Sequence, residues 1–397
     1  MNENIIPYGK QFITPEDIEV VVAALQSDYL TQGPKILEFE QKFAEYIGCK
    51  YAVAVANGTA ALHLCTLSLN IQEGDKVITT PITFAASANC VRYCGGDVVF
   101  SDIDPTTLLI DIEKIKQLLE ASPGSYKGII PVDFAGRAVN LEALRKIADE
   151  HGLWIIEDAC HAPGGFFIDS EGQKQKCGNG KFADLAIFSF HPVKHIACGE
   201  GGMITTNNQE LYKKLLQLRT HGIVKSDALY TNSTEFASGD KNATTYPGWY
   251  MEMQTLGFNY RITDFQAALG TSQLSRAKDG LAKRKKIANS YYNSFKNCEY
   301  IKSQSGDIDG HAYHLYVIEV ENRLGLYNYL REHNIFAQIH YIPCHLMPYY
   351  RDLGWSEGDM PHAESYYEQC ISLPMYPTLT ADEQQFVINK IDNFYSK

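Results

Sequence analysis

Two side chains of opposite charge follow apolar segments in the middle of the sequence. Asp158 ends the segment LWIIED, and Lys194 lies in the turn SFHPVK that follows the segment DLAIFSF. In an open α/β sheet, ligands bind beyond the carboxyl ends of the strands, so both side chains can reach one crevice. A lysine there can form a Schiff base with the aldehyde of pyridoxal phosphate (PLP), and an aspartate can keep its pyridine nitrogen protonated. Taken alone, the two residues also suit a solvated amine and a helix cap.

Two other features of the sequence favour the cofactor interpretation. The sequence NGTAALHL follows another apolar segment, and its Gly58, Thr59 and Ala60 would open a helix whose amides can bind a phosphate. Ser189, five residues before Lys194, offers a second hydroxyl. The alternative role of Thr59 is simple helix capping.

Two further side chains suit the ring of the cofactor. Phe84, in the sequence PITF, can stack on a flat ring, although a phenylalanine is as often part of a core. His161 lies three residues after Asp158 and is close enough in sequence to contact the same ring.

The elements that position these residues alternate between strands and helices. Seven short apolar segments predict strands at 51–56, 76–80, 97–102, 127–132, 153–158, 184–190 and 202–206. Several are continuous apolar runs, which is typical of a sheet covered on both faces by helices. The fold class is therefore α/β, with a large doubly wound mixed sheet.

The rest of the chain predicts a surface excursion and a smaller domain. Residues 225–257 are polar and rich in turn residues, without an apolar period. One long helical pattern follows at 262–295, and strands are predicted at 312–320, 336–340 and 370–374. We expect a large domain over 1–260 and a smaller α+β domain over 261–397.

The composition indicates a folded globular protein and excludes several classes. Of the 397 residues, 45% are hydrophobic and 21% are charged, and the formal net charge is -12. That charge argues against a nucleic-acid or membrane-binding surface. The N-terminal residues lack the apolar region of a signal peptide, no apolar run is long enough to span a bilayer, and the ten cysteines form no C-x-x-C pair. These features predict a cytoplasmic protein with reduced thiols.

Seven segments together resemble the sugar aminotransferases of the DegT/DnrJ/EryC1/StrS family. They are LTQGP (30–34), NGTAAL (57–62), PITFAASAN (81–89), EDACHA (157–162), FSFHPVKHIACGEGG (188–202), RTHG (219–222) and GFNYRITDFQAALG (257–270). The resemblance covers essentially the whole chain. It implies a PLP-dependent transferase of fold type I.

The resemblance also implies roles for individual residues. Lys194 would bond the cofactor and Asp158 would face the pyridine nitrogen, with Phe84 and His161 at the ring. The phosphate would be bound by Gly58, Thr59, Ala60 and Ser189. Asn259 would reach the phosphate of a neighbouring subunit, so the resemblance implies a homodimer. Some relatives carry histidine at the position of Lys194 and perform dehydration, so the lysine favours transamination.

Within the family, the branch that acts in pseudaminic acid synthesis is most similar, on segments such as WYMEMQTLGFNYR (249–261) and AQIHYIP (337–343). The resemblance implies transfer of an amino group from L-glutamate to C4 of a UDP-linked 4-keto-6-deoxy-N-acetyl sugar. Candidate cations for the diphosphate are Lys10, Arg219, Lys225 and Arg261. Other 4-keto nucleotide sugars, such as those of bacillosamine or perosamine synthesis, remain alternatives.

Two functions of a different class are also open at this point. His311, His314, His340 and His345 are close in sequence and could serve a metal hydrolase, although no glutamate completes a known zinc motif. A regulatory protein could keep the PLP pocket without catalysis. Retention of both Lys194 and Asp158 argues against it, and we expect no metal in the site.

Overall fold

The computed structural model describes residues 5–396, and its strands assemble mainly into one seven-stranded mixed sheet. The strands are β1 (Ile6–Pro7), β2 (Tyr51–Val55), β3 (Lys76–Thr79), β4 (Asp97–Phe100), β5 (Tyr126–Ile130), β6 (Trp154–Asp158), β7 (Phe166–Ile168), β8 (Lys174–Lys176), β9 (Leu185–Ser189), β10 (Gly202–Thr206), β11 (Ile223–Val224), β12 (Glu252–Met253), β13 (Ile301–Gln304), β14 (Tyr316–Val320), β15 (Ile335–Phe336) and β16 (Cys370–Leu373).

Fourteen α-helices connect or cover these strands within residues 5–396. They are α1 (Pro15–Leu25), α2 (Pro34–Ile47), α3 (Gly58–Ser68), α4 (Ala86–Tyr93), α5 (Ile112–Ala121), α6 (Leu141–Glu150), α7 (Gln209–Arg219), α8 (Thr234–Ser238), α9 (Asp264–Ser275), α10 (Ala277–Phe295), α11 (Arg323–Glu332), α12 (Pro348–Arg351), α13 (Pro361–Gln369) and α14 (Ala381–Tyr395). No helix in this part of the chain is long and apolar enough to cross a membrane.

The large sheet confirms the predicted α/β class. Its strand order is β2-β10-β9-β6-β5-β3-β4, and all seven predicted strands are present within two residues of their predicted ends. β10 runs antiparallel to both of its neighbours, whereas the other adjacent pairs are parallel. The carboxyl ends of β3, β6 and β9 therefore meet at one edge of the sheet.

Both faces of this sheet are buried, as its continuous apolar strands predicted. In β2, Val53 and Val55 belong to one hydrophobic cluster, while Ala52 and Ala54 belong to another. Because successive side chains of a strand point to opposite faces, the two clusters cover opposite faces of the sheet at β2, and the first cluster covers both faces at β3, β5 and β6. One cluster includes residues of α3 to α6, and the other includes residues of α2 and α9.

Helix α6 shows how local sequence sets these layers. The side chain of Asn140 accepts a hydrogen bond from the amide of Ala143 at 3.1 Å, which caps the first turn. Leu144 is completely buried in the core, and Gly152 adopts a left-handed φ of 65° just after the helix. Asn140, Leu144 and Gly152 thus mark the start, the buried face and the end of α6.

The second half of the chain forms a three-stranded antiparallel sheet, β13-β14-β16, with its own hydrophobic cluster. Three expectations change here, and the first is that the strand predicted at 312–320 begins only at Tyr316. The predicted helix over 262–295 is two helices, since Arg276 departs from helical geometry between α9 and α10. The predicted strand at 336–340 is limited to β15, which pairs with β1 near the N-terminus. The division of the chain near residue 260 stays a prediction.

The excursion over 225–257 contains little regular structure, as predicted. It contains helix α8 and the strand β12, which pairs with β11. The buried carboxylate of Glu252 holds it together by accepting hydrogen bonds from the amides of Thr231 and Asn232 and from the side chains of Tyr250 and Gln254. Burial alone would raise the pKa of Glu252, but these hydrogen bonds outweigh it and hold the pKa at about 2. The excursion is therefore organised around an ionised side chain.

Candidate active site

A cleft of about 660 Å³ lies beyond the carboxyl ends of β3, β6 and β9. This is the place where open α/β sheets bind ligands. Its lining includes Asp158 at the end of β6 and Lys194 in the turn after β9. The structure therefore brings the two residues of the sequence hypothesis into one cleft.

Asp158 forms part of the buried floor of the cleft. Its side chain is 5% exposed, and its two oxygens are held by different donors. The amide of Cys160 donates to Oδ1 at 3.1 Å, and the hydroxyl of Ser87 donates to Oδ2 at 2.6 Å. Hydrogen bonds of this kind stabilise an ionised carboxylate and fix its orientation.

Behind Ser87 lies a second hydroxyl. The Oγ1 atom of Thr83 is 2.8 Å from the Oγ atom of Ser87. Because the single proton of Ser87 is donated to Asp158, the hydroxyl of Thr83 must donate to Ser87. The sequence analysis quoted both residues within PITFAASAN but gave neither a role. Thr83 lies just before α4 and Ser87 lies in its first turn, and this four-residue spacing was the signal that could have indicated their role.

Lys194 lies in a turn that closes with a hydrogen bond from its amide to the carbonyl of His191 at 2.9 Å. The side chain is partly buried, and its Nζ atom is 3.5 Å from the Nε2 atom of His314. Burial lowers the pKa of the Lys194 ammonium, and the negative charge of Asp158 opposes that effect. Within residues 5–396, Lys194 forms no ion pair, so its amine remains available to a ligand.

The first turn of α3 forms one wall of the cleft. Asn57 caps the helix by accepting a hydrogen bond from the amide of Ala60 at 2.8 Å. Gly58, Thr59 and Ser189 line the cleft, but Ala60 does not, and its amide is already bonded. The amides of Gly58 and Thr59 are therefore the helix-end donors that remain for an anion.

Gly58 has a spatial reason for its small size. A Cβ atom at this position would lie 3.1 Å from the Cβ atom of Ser189, which is tighter than an ordinary contact. The close approach of α3 to the end of β9 brings the amide of Gly58 and the hydroxyl of Ser189 to the same wall.

Phe84 and His161 lie on the same cleft, as expected. Phe84 is 64% exposed and lines the cleft, so it is not a core residue. His161 is buried, and its Nε2 atom is 3.3 Å from the hydroxyl of Tyr341. Burial lowers the pKa of His161 well below its usual value, so the ring is neutral at pH 7.

The four candidate cations are not brought into the cleft of their own chain. Arg219 binds Glu40 at 2.6 Å and the carbonyl of Ala54 at 2.7 Å, which ties α7 to α2 and β2. Lys10 and Lys225 are exposed, and Arg261 is partly buried. Within the described chain, Lys194 is the one lysine or arginine that lines the cleft.

Asn259 also lies away from the cleft of its own chain. It is exposed, and its backbone forms an antiparallel bridge with Thr220. This position is compatible with a contact to another subunit, which was the role that the resemblance implied.

The histidines of the hydrolase alternative are separated. His314 and His340 line the cleft, whereas the Nδ1 atom of His311 accepts a hydrogen bond from the amide of Tyr313, and His345 pairs with Glu364 at 2.8 Å. Across residues 5–396, the one group of three close metal-ligand atoms contains no histidine. These four histidines therefore do not form the set of metal ligands that a hydrolase would need.

That group consists of Asp133, Glu157 and Cys177 and is completely buried. Backbone amides of Val139 and Gly178 donate to the two carboxyl groups. Burial raises the pKa of both acids, and the negative charge of Asp133 raises the pKa of Glu157 further. The group is buried beneath the sheet edge and does not line the cleft.

Residues 11–392 match the model of the DegT/DnrJ/EryC1/StrS aminotransferase family. The chain belongs to this family. It is 36% identical to the spore coat polysaccharide biosynthesis protein SpsC of Bacillus subtilis, over 98% of this chain and 96% of that protein. It is 33% identical to the UDP-4-amino-4,6-dideoxy-N-acetyl-beta-L-altrosamine transaminase of Campylobacter jejuni, over 99% of this chain and 98% of the relative.

Among solved structures, Helicobacter pylori PseC, an aminotransferase involved in the biosynthesis of pseudoaminic acid, matches with a TM-score of 0.87. It is 29% identical, and the match covers 99% of this chain and 100% of PseC. Similar solved structures include PLP and PMP forms. The protein is therefore a PLP-dependent aminotransferase of fold type I.

The residues of the cleft fit PLP by their chemistry. The floor supplies an ionised carboxylate for a pyridinium nitrogen, the turn after β9 supplies a primary amine for an aldehyde, and the start of α3 supplies amides and a hydroxyl for a phosphate. Phe84 adds an exposed aromatic ring at the mouth of the cleft. The ring nitrogen, the aldehyde and the phosphate of the cofactor thus each have a counterpart.

We predict that Ser87→Ala weakens PLP binding about tenfold, because Asp158 loses one charge-assisted hydrogen bond and its fixed orientation. Equilibrium dialysis of the apoprotein against PLP measures the change. Ser68→Ala is the matched control, since Ser68 is a buried serine that donates to the carbonyl of Cys65 outside the cleft. Equal PLP affinity of Ser87→Ala and the wild-type protein would show that the serine does not support Asp158.

Proposed function

We propose that this protein transfers an amino group from L-glutamate to C4 of a UDP-linked 4-keto-6-deoxy-N-acetyl sugar, as a step of pseudaminic acid biosynthesis. The carrying observation is the cleft in which Lys194, Asp158 and the first turn of α3 face one another. The similarity to the Campylobacter transaminase and to PseC supports the sugar.

In this proposal, Asp158 and Lys194 divide the chemistry between charge stabilisation and proton transfer. When bound, PLP would supply an electron sink for the bond that breaks at the α-carbon of the amino donor. Asp158 would keep a proton on the ring nitrogen, with its carboxylate held in place by Ser87. Lys194 would hold the cofactor and, once free, would move a proton to and from the reacting carbon.

The walls of the cleft orient the cofactor and limit access of water. Gly58, Thr59 and Ser189 bind the phosphate end, and His161 lies at the ring with its neutral imidazole. Phe84 covers the exposed side, where the sugar enters. This arrangement leaves one open approach for both the amino donor and the keto sugar.

A homodimer is the second part of the proposal, and the charge of the cleft supports it. The cofactor phosphate and the sugar diphosphate are anionic, yet Lys194 is the one cation that lines the cleft within residues 5–396. Lys10, Lys225 and Arg261 form no ion pair among the described residues and are free to serve another copy. Asn259 would then contact the phosphate bound by the partner.

Exposed apolar residues also favour association. Ile18, Val22 and Leu25 lie at i, i+4 and i+7 of α1, on one helix face, and are 57%, 44% and 53% exposed. Tyr29 and Leu30, directly after the helix, are about half exposed as well. A continuous apolar face of this kind is typical of a protein interface.

SpsC supports a second candidate sugar. The chain is more similar to this spore coat polysaccharide protein than to the Campylobacter transaminase, at 36% against 33% identity. A nucleotide sugar that leads to a surface polysaccharide is therefore an alternative substrate, and 4-keto sugars of the bacillosamine or perosamine type are candidates.

The two sugars can be compared directly with the holoenzyme and L-glutamate. We predict that UDP-4-keto-6-deoxy-L-AltNAc is converted to its 4-amino product, because the proposed branch acts on the L-altro sugar, and that the D-GlcNAc-derived epimer is converted far more slowly. Mass spectrometry of the nucleotide sugars measures both products. Conversion of the epimer alone would replace the pseudaminic acid assignment by the alternative, and conversion of neither sugar would contradict both.

Mixing two inactive variants tests the shared site. We predict that Lys194→Ala and Asn259→Ala dimers, each impaired alone, regain activity after exchange of subunits, because a mixed dimer contains one site with both native residues. Random exchange gives about half mixed dimers with one intact site each, or about a quarter of the wild-type activity. Turnover after mixing, with each variant alone as the control, measures this. No recovery despite proven exchange would place Asn259 in the site of its own chain or outside the site.

A further inference from the structure

Lys194 has a neighbour in the cleft that the proposed mechanism does not use. The Nζ atom of Lys194 and the Nε2 atom of His314 are 3.5 Å apart. Within residues 5–396, this is the one hydrogen bond that the side chain of Lys194 forms. His314 is 4% exposed and belongs to the C-terminal half of the chain. The contact therefore joins the two halves at the reacting lysine.

The backbone before β14 directs His314 into the cleft. Tyr313 adopts a left-handed φ of 49°, which reverses the direction of the chain just before His314. The amide of Ala312 donates to the carbonyl of Gly136 at 2.7 Å, and the amide of Leu315 donates to the carbonyl of Ala135 at 3.1 Å. The segment is thus fixed on both sides of His314 by the loop after β5.

A buried guanidinium adds a second constraint. Arg284 of α10 donates from Nη1 to the carbonyls of Tyr313 and His314 at 3.1 and 3.2 Å, and also to the carbonyl of Met375. It is 1% exposed and forms no ion pair among the described residues. Arg284 therefore holds the backbone of His314 in place through carbonyl groups alone.

The surroundings of His314 keep its imidazole neutral. Burial and the positive charge of Lys194 lower the pKa of His314 well below its usual value, and His161, His195 and Arg284 act in the same direction. A neutral ring with Nε2 toward an ammonium accepts a hydrogen bond there, so its proton lies on Nδ1. The ring also packs on His161 with the centroids 4.3 Å apart, which limits its rotation.

Several other groups face Lys194 and contribute to its proton affinity. Asp158 and Cys160 favour the ammonium, whereas Arg284 and burial oppose it. The imidazoles of His161, His195 and His340 are neutral, because burial also lowers the pKa of each of them. Among the neutral rings, His314 is the one within hydrogen-bond distance of the Nζ atom.

We propose that His314 is a positioning residue for Lys194, whose ammonium donates a hydrogen bond to Nε2 of the imidazole. The proposal rests on the role proposed above for Lys194. A lysine side chain has four rotatable bonds, so one fixed acceptor reduces the positions that its amine can occupy. The amine is then kept near the cleft when it is not bonded to the cofactor, as its proton-transfer role requires.

The test compares variants that keep or remove the acceptor. His314→Gln retains an oxygen acceptor on a side chain of similar reach, and His314→Leu removes the acceptor. His311→Asn is the matched control, because His311 is a buried histidine of the same segment that lies outside the cleft and uses Nδ1 as an acceptor. Thermal unfolding and gel filtration check that each variant is folded.

The readout is the proton affinity of Lys194 in the apoprotein. Trace labelling with acetic anhydride at a series of pH values, followed by mass spectrometry, reports the reactivity of Lys194, with exposed Lys225 as the internal reference. Loss of an acceptor for the ammonium lowers the pKa of the lysine. We expect the labelling midpoint of His314→Leu to move about one pH unit lower, and those of His314→Gln and His311→Asn to stay near the wild-type value.

A second readout separates positioning from binding in the holoenzyme. We expect His314→Leu to lower kcat about tenfold or more, with little change in KM for the sugar, and His314→Gln to restore much of the rate. An unchanged labelling midpoint in His314→Leu would overturn the proposal. An equal shift in His311→Asn, or failure of His314→Gln to differ from His314→Leu, would also overturn it. Because labelling needs neither PLP nor sugar, these results are independent of whether the proposed substrate is correct.

Discussion

The separation of two opposite charges within one cleft is the constraint on which the site depends. Asp158 and Lys194 both line the cleft, yet they form no ion pair among residues 5–396. Each is stabilised by neutral partners instead: Asp158 by a hydroxyl and an amide, and Lys194 by an imidazole nitrogen. An ion pair between them would neutralise the two groups that a pyridine nitrogen and an aldehyde need. The neutral partners keep both charges available to the ligand.

The fold supplies this separation through the edge of its sheet. β6 ends at Asp158 and β9 ends at Ser189, five residues before Lys194, so parallel neighbours deliver a carboxylate and an amine to the same edge. The start of α3 approaches close enough to β9 that Gly58 has no space for a side chain. His314 then enters from the C-terminal half of the chain. The site is therefore complete only when the two halves of the chain pack together.

Much of this arrangement could be predicted from the sequence, because it depends on local patterns. Short apolar segments identified all seven strands of the large sheet, and the positions of Asp158 at the end of one strand and Lys194 after another indicated the cleft. The two ends of α6 were also predictable, because Asn140 and Gly152 act on residues next to them in the sequence. Patterns of this kind need no knowledge of distant contacts.

The remaining features depend on contacts that sequence spacing does not contain. The sequence predicted a continuous strand over 312–320, but the left-handed turn at Tyr313 precedes β14 and directs His314 into the cleft. The helical pattern is interrupted at Arg276, between α9 and α10, although no proline or glycine lies at that break. The positive charge of Arg219 alone suggested that it binds a diphosphate. In the structure, Arg219 instead forms an ion pair with Glu40, which is far away in sequence.

The central claim is that Lys194 is the residue that bonds PLP in this cleft. Reduction of the holoenzyme with borohydride fixes the cofactor to its lysine, and peptide mapping by mass spectrometry then locates the phosphopyridoxyl group. The account predicts a single labelled site at Lys194, and no labelling in Lys194→Ala. Labelling of another lysine, or PLP that is bound but never fixed by reduction, would contradict the account.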